Sequence, residues 1–282
     1  METPGTENEI AIRLIFFVGI LVTVALWESM APRRRLATRN AARRLNNLLI
    51  AALNVAVLRL AFPVAAVAFA AMSAEKGWGA LNFFDLPPIA AFLIAVVVLD
   101  FAIWLQHLML HFVPPLWRIH RMHHSDLHFD VTTGLRFHPL EILLSMGIKF
   151  GAIALLGPPV LAVLAFEIVL NGLAMFNHGN IRMPGRLDRC LRLVIVTPDM
   201  HRVHHSVLPR ETNSNYGFNL SVWDRLFGTY RAEPEKGHEG MRIGLEHFRD
   251  AADHTLIRLL RQPFSREVKQ RMRSGSDNVL SP

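Results

Sequence analysis

Apolar stretches long enough to cross a lipid bilayer constrain this chain more than any other feature. A hydrocarbon core about 30 Å thick takes roughly 20 apolar residues as α-helix, and no water inside it can satisfy a free backbone amide. Continuous apolar runs of that length therefore imply helices. The first span is read from about Ile12 to Trp27, where the run ends at Glu28. A second covers about Leu48 to Met72, interrupted by Arg59 and Pro63, and a third runs from about Pro88 to His107. The stretch from Leu140 to Phe176 carries Gly157, Pro158 and Pro159 at its middle, which suits the tip of a helical hairpin and gives a fourth and a fifth span. Hydrophobic residues make up 51% and the mean hydropathy is +0.28. The expected architecture is all-α, a multi-pass transmembrane bundle of four to five spans with a helical cap. Glu7 and Glu9 at the start of the first span, with no basic segment before it, argue against a cleaved leader.

Charge sets the orientation. Arg33, Arg34, Arg35, Arg39, Arg43 and Arg44 lie between the first two spans, whereas the next loop has only Lys76 as a cation. The positive-inside rule makes the arginine segment cytoplasmic. Alternating from there, the third span exits into the cytoplasm and the hairpin returns to it. The expected location is the cell inner membrane. The net charge of +7 then belongs to segments facing anionic lipid, and no nucleic-acid partner is read from it. The single cysteine, Cys190, excludes an internal disulfide and any cysteine-based metal site.

Histidine supplies the chemistry. Eight of the 14 fall into three tight clusters: His107 and His111; His120, His123 and His124; His201, His204 and His205. Residues four apart, or at i, i+3 and i+4, share a helix face, so each cluster aims several imidazoles at one locus. All three clusters fall on the expected cytoplasmic side. A site made of neutral imidazoles suits iron, zinc, copper or nickel. Eight imidazoles exceed what one first-row ion accepts, so two metal ions are the natural count. A closed structural zinc site would need only four ligands.

These residues resemble the fatty acid hydroxylase and sterol desaturase superfamily, membrane-bound non-haem di-iron oxygenases. The resemblance is carried first by Asp100, Trp104, His107, His111, Trp117, His120, His123 and His124. It continues through Arg136, Phe137, His138 and Pro139, then Asn177, His178, Gly179 and Asn180, then Pro198 to His205. Asn215, Tyr216, Gly217 and Trp223 to Tyr230 complete it. It covers about Asp100 to Arg231. One departure is Leu108, where many members carry an arginine. The resemblance implies two ferrous ions that activate O2 to attack a lipid C–H bond, giving hydroxylation or desaturation. It also implies a ninth ligand, His178, and two electrons per turnover from a separate ferredoxin or cytochrome with its reductase. No nicotinamide, flavin or haem motif is present in the sequence.

Other polar residues receive supporting roles. Asp100 lies seven residues before His107, two turns up one face, so it either fixes the tautomer of a ligand imidazole or ties two helices together. His138 is read as holding a ligand by hydrogen bond. Asp199, Asn213 and Asn215 flank the last cluster and are candidates to orient it. Glu167 and Asn171 favour helix packing, Trp223 and Tyr230 pack the cap, and His128 is a loop histidine. His238, His247 and His254 are given no role. The tail from Phe248 to Met272 reads either as a helix on the bilayer surface or as one packed on the cap. The domains are taken as 1–93, an N-terminal transmembrane region; 94–231, the oxygenase-like domain with its hairpin; and 232–282, a cytoplasmic tail. Two other readings compete: a zinc-dependent membrane hydrolase and a metal transport protein. Hydrolytic zinc sites usually include carboxylates, and transport sites sit near mid-membrane. The oligomeric state and the particular lipid are not encoded in any motif.

Overall fold

The computed structural model describes residues 6–35, 41–62 and 64–265, and among these the regular structure is helical, with only isolated β-bridges. Among the described residues five stretches are long and apolar enough to cross a membrane. Helix α1 is Thr6–Met30, α2 is Ala41–Ala61 and α3 is Ala66–Glu75. Helix α4 is Pro88–Phe112, α5 is Pro114–His124, α6 is Pro139–Leu156 and α7 is Val160–Asn177. Short helices α8, Gly185–Leu191, and α9, Pro198–His204, follow.

The expected second span is two helices. Helix α2 ends at Ala61 and α3 begins at Ala66, while Pro63 itself lies outside the described residues. Both pieces pack along α6, so they make one broken crossing. The expected hairpin is present. Gly157 caps α6 in the left-handed conformation at φ +65°, and Pro158 and Pro159 lead into α7, with Pro159 at its N-cap. A Cβ on Gly157 would come within 2.3 Å of the Trp78 carbonyl oxygen, and one on Gly79 within 2.0 Å of Gly157 N. Glycine is thus required on both sides where the end of the α3 segment meets the hairpin tip. Helices α6 and α7 have 18 residues each, about 27 Å of helix, close to the thickness of a hydrocarbon core.

The bundle core holds Ala70, Leu99, Ile103, Ile153, Val163 and Phe166, packed from α3, α4, α6 and α7. Many outward side chains, Leu14, Ile15, Leu60, Ile89 and Leu155 among them, are apolar and exposed, as a lipid-facing surface requires. At the end opposite the hairpin tip sits a polar cap. Two of the six arginines assigned to the first connection belong to helix α2. Of these Arg43 is buried, donating to Asp126 at 2.7 Å and pairing with Asp130. Burial alone would raise the Asp126 carboxyl, but the Arg43 and Arg136 guanidiniums hold it well below the usual carboxylate range.

The C-terminal segment packs on this cap. Leu259 joins a buried cluster with Ile50 and Met122, and Arg118 Nε donates to the Pro263 carbonyl at 2.8 Å. Of the two readings of the tail, the packed one describes the chain up to residue 265; beyond it the tail lies outside the described residues.

Candidate metal centre

The turn between α4 and α5 sets the site. Val113 is extended and Pro114 begins α5, so the chain reverses off the membrane helix and brings His120 back toward His107. Helix α9 starts with a Thr197 cap whose side chain accepts from Met200 N, followed by Pro198 at its first position. His201 and His204 on it and His205 just after it face the same interior, and His178 follows the last turn of α7.

Nine histidines thereby meet as two groups. His107, His111, His120, His124 and His204 form one; His123, His178, His201 and His205 form the other, with one ring nitrogen per residue lying within 4.8 Å of every other in its group. Eight of the nine are buried and His111 is half-buried. His107 and His111 stay together as one unit, but the other two clusters are divided, contrary to the single locus expected of each. On α5, His120 and His124 enter the first group and His123 the second; on α9 and its end, His201 and His205 enter the second and His204 the first. Each His-x-x-His-His segment is shared between the two groups.

Five rings have their tautomer fixed at Nδ1. Because a carbonyl oxygen only accepts, the ring nitrogen facing it must donate. His107 Nδ1 donates to the Tyr216 carbonyl, His178 Nδ1 to that of Ala174 and His204 Nδ1 to that of Ser214, each at 2.7 Å. His120 Nδ1 meets Glu141 Oε1 at 2.8 Å and His111 Nδ1 meets Asn213 Oδ1 at 3.3 Å. The Nε2 atoms of these rings are then bare lone pairs. Yet His107 Nε2 lies 3.2 Å from His120 Nε2 and 3.1 Å from His204 Nε2. In the other group, His178 Nε2 is 3.1 Å from both His123 Nε2 and His201 Nε2. Neither His107 contact can be a hydrogen bond, since all three rings keep their proton on Nδ1. A cation at the focus turns this repulsion into coordination. Metal–nitrogen bonds of about 2.1 Å imply nitrogen–nitrogen edges of roughly 3.0 to 3.4 Å between octahedral and tetrahedral geometry, which brackets these distances. The residues present therefore fit a metal in each group.

Electrostatics agree with neutral, ligand-ready rings. Burial, with the neighbouring imidazoles, pushes His123, His124, His201 and His205 well below the usual histidine range. Burial takes His204 down to about 3 and His178 to about 4, against the raising effect of their backbone carbonyl partners.

The supporting residues differ from expectation in several places. Asp100 touches no imidazole: Oδ2 accepts from Trp223 Nε1 at 2.8 Å and Leu220 N at 3.4 Å, which is the helix-tying alternative. The Tyr216 carbonyl orients His107 instead. His138 caps α6, accepting from Leu140 N at 3.1 Å, while Nε2 faces the Leu260 carbonyl. The bond to a ligand ring expected of His138 is made instead by Glu141, three residues on, which meets His120. Asp199 pairs with Arg202 and Arg33 and faces His238, none of them in the two groups. Asn213 meets His111, of the first cluster rather than the last. Asn215, at φ +54°, donates to the Met200 and Arg231 carbonyls and so holds α9 rather than a ring. Glu167 pairs with Arg13 and Lys149, joining α1, α6 and α7. Trp223 stands beside Phe101 in the cap, and His128 lies in a loop outside both groups. His238 and His254 are buried structural residues.

The sequence assigned no role to Asp224, named only within the resemblance, and did not mark Gly134 at all. Asp224 accepts from Tyr216 N and Gly217 N, both at 2.8 Å, and from Trp104 Nε1 at 3.2 Å, so it pins the loop that pins His107. A Cβ on Gly134 would lie 2.6 Å from the Ala174 carbonyl oxygen and 3.2 Å from His178 Nδ1. A carboxylate among aromatic and glycine neighbours was the available signal for Asp224; nothing local marks Gly134.

A cavity of about 390 Å³ opens beside the two groups and runs between the membrane helices. Phe137, stacked on His123 at 4.5 Å, and Phe218, 4.9 Å from His107, line its upper end. Leu58, Ile103 and Leu170 line it further down, with Lys149 and Glu167 at the same depth as Arg13.

Residues 92–229 match the fatty acid hydroxylase family. Ornithine lipid hydroxylase OlsE of Rhizobium tropici is 28% identical over 266 residues, covering 91% of this chain and 76% of that protein. Alkylglycerol monooxygenase of Homo sapiens is 34% identical over 156 residues, 55% of this chain and 34% of that protein. Cholesterol 25-hydroxylase of Rattus norvegicus is 25% identical over 169 residues, 59% of this chain and 55% of that protein. The chain thus spans most of the first relative and about a third of the second. No solved structure matches.

Proposed function

Because this chain belongs to the fatty acid hydroxylase superfamily, we propose that it is a membrane-bound di-iron oxygenase that hydroxylates a lipid. The observation that carries this reading is the pair of histidine groups whose bare Nε2 atoms face one another beside an apolar cavity between the membrane helices. His107, His111, His120, His124 and His204 would hold one iron, and His123, His178, His201 and His205 the other. When bound, the two ions supply O2 activation at a C–H bond. The overall reaction takes up O2, two electrons and two protons and yields one hydroxyl group and water. Hydroxylation is preferred to desaturation because the relatives are named hydroxylases and monooxygenases.

The protein's own residues do the positioning. Backbone carbonyls of Tyr216, Ala174 and Ser214 hold three rings in the tautomer that leaves Nε2 free. Glu141 orients His120, and Phe137 and Phe218 cover the side of the histidines that faces the cavity. Substrate would enter laterally from the bilayer. Arg33 pairs with Asp199 at the histidine end of the bundle, and with the positive-inside rule this supports a site on the cytoplasmic side. A ferredoxin or cytochrome arriving there would deliver the electrons.

Metal analysis of anaerobically purified protein, with O2 uptake, tests this. About two irons per chain and O2 consumption support it; zinc alone, with no O2 reactivity after iron reconstitution, would sink it. Lipids from cells with and without the protein should differ by one oxygen in the product.

A further inference from the structure

The cavity is not uniformly apolar, and its polar atoms are unpaired in a way that specifies what fills it. Asn54 on α2, Gln106 on α4 and Glu141 on α6 all line it, and all three are more than nine-tenths buried. Asn54 Oδ1, Gln106 Oε1 and Glu141 Oε2 have no hydrogen-bond partner. Two of these assignments are fixed by chemistry. Asn54 Nδ2 donates to the Phe137 carbonyl at 2.9 Å, so the oxygen is the end left over. Glu141 Oε1 is taken by His120 Nδ1, which leaves Oε2. Phe137 stacks on His123 and Glu141 touches His120, so the free acceptors sit at the histidine end of the cavity, not at its depth.

A plain hydrocarbon lying there would leave three buried acceptors unsatisfied, and that costs more than its own burial recovers at those contacts. We propose that the group presented to the histidines is the polar head of an amphiphile carrying at least two hydrogen-bond donors, hydroxyl, ammonium or amide N–H. Asn54, Gln106 and Glu141 receive those donors, and the apolar chain extends away toward Leu58, Ile103 and Leu170. Oxidation then falls on or beside the head group. This rests on the oxygenase reading and names the substrate class of the same cavity. It makes the three residues specificity determinants drawn from three different membrane helices.

Binding to the metal-loaded full chain in detergent tests it without turnover. The probes are a single-chain amphiphile with two free hydroxyls, its di-O-methyl ether and a plain alkane of equal length. Wild type is expected to bind the diol about tenfold or more tighter than the ether, the scale of one or two buried hydrogen bonds. Gln106→Met should lose most of that ratio and Gln106→Glu should retain it. Equal binding of diol and ether by wild type overturns the proposal, because the acceptors are then satisfied by water. An unchanged ratio in Gln106→Met overturns it too. Should that variant fail to fold, the wild-type ratio decides alone. Iron content and O2 uptake, measured on the same protein, report separately on the oxygenase reading.

Discussion

His107 and His204 stand 97 residues apart and bring their Nε2 atoms to 3.1 Å. Both rings keep their proton on Nδ1, donated to the Tyr216 and Ser214 carbonyls at 2.7 Å. Two lone pairs held this close by rigid backbone partners are unfavourable alone and favourable around a cation. The membrane helix α4 and the cap helix α9 are joined through that shared focus.

If each histidine group holds one iron, as proposed, removing one histidine from each group should separate the two metals. His204→Ala acts on the five-histidine group and His123→Ala on the four-histidine group. Each is expected to drop bound iron from about two toward one per chain and to cut activity by more than the roughly 10- to 100-fold that losing a supporting partner costs. Both variants should remain in the membrane fraction, since the five apolar stretches are untouched. Unchanged iron in both would contradict the assignment.

Glu141→Gln tests an orienting residue. The amide can still accept from His120 Nδ1 but holds the ring by a weaker, uncharged hydrogen bond, so iron affinity should fall by about 10-fold. Glu141→Leu removes the acceptor altogether and should cost more. Iron titration followed by absorbance reads the order, and equal affinities in all three proteins would remove Glu141 from the site.

The apolar spans and the histidine clusters could be read from sequence because their signals are local. How the clusters divide could not. Successive helix residues turn by about 100°, so His120 and His124 point about 40° apart while His123 is about 100° away from His124. That offset sends it to the other metal group, but only the approach of α7 and α9 gives it partners there. The two readings of Asp100 could not be separated for a related reason: spacing put it on the His107 face, while its actual partners, Leu220 and Trp223, come from 120 and 123 residues downstream. Arg43 looked like a loop cation by the same local logic, and Asp126 and Asp130, 83 and 87 residues on, draw it inside.

Arg43→Leu should therefore behave as a core mutation. It leaves two buried carboxylates, Asp126 and Asp130, short of their main counter-charge, and breaking one side of a buried pair costs about 3–5 kcal/mol. The expected outcome is a lower thermal midpoint in detergent and poor iron retention, because Asp126 follows His124 by two residues. A variant as stable as wild type would place the Arg43 network outside the stabilising core.

Gly134→Ala adds a single methyl group where the Ala174 carbonyl oxygen is 2.6 Å away and His178 Nδ1 is 3.2 Å away. Backbone must move, at about 1–3 kcal/mol, and the displaced partner is the carbonyl that fixes His178. Activity and iron in the four-histidine group should fall, while the five-histidine group keeps its metal. Full iron and activity would mean the turn relaxes without disturbing His178.

His254 offers a pH test away from the metal groups. Arg136 Nη2 donates to His254 Nδ1 at 3.3 Å, so the ring is an acceptor and must be neutral. Burial first, and then the Arg136 charge, take it down to about 4, against about 6.5 in an unfolded chain. Between those values the unfolded chain binds a proton that the folded protein refuses. Stability is therefore lost as pH falls from about 6.5 toward 4 and is complete above that window. Asn at position 254 keeps an acceptor oxygen but does not titrate. With iron bound, the thermal midpoint of wild type should fall further between pH 7 and pH 5 than that of His254→Asn, and equal falls would mean that His254 takes up its proton without cost.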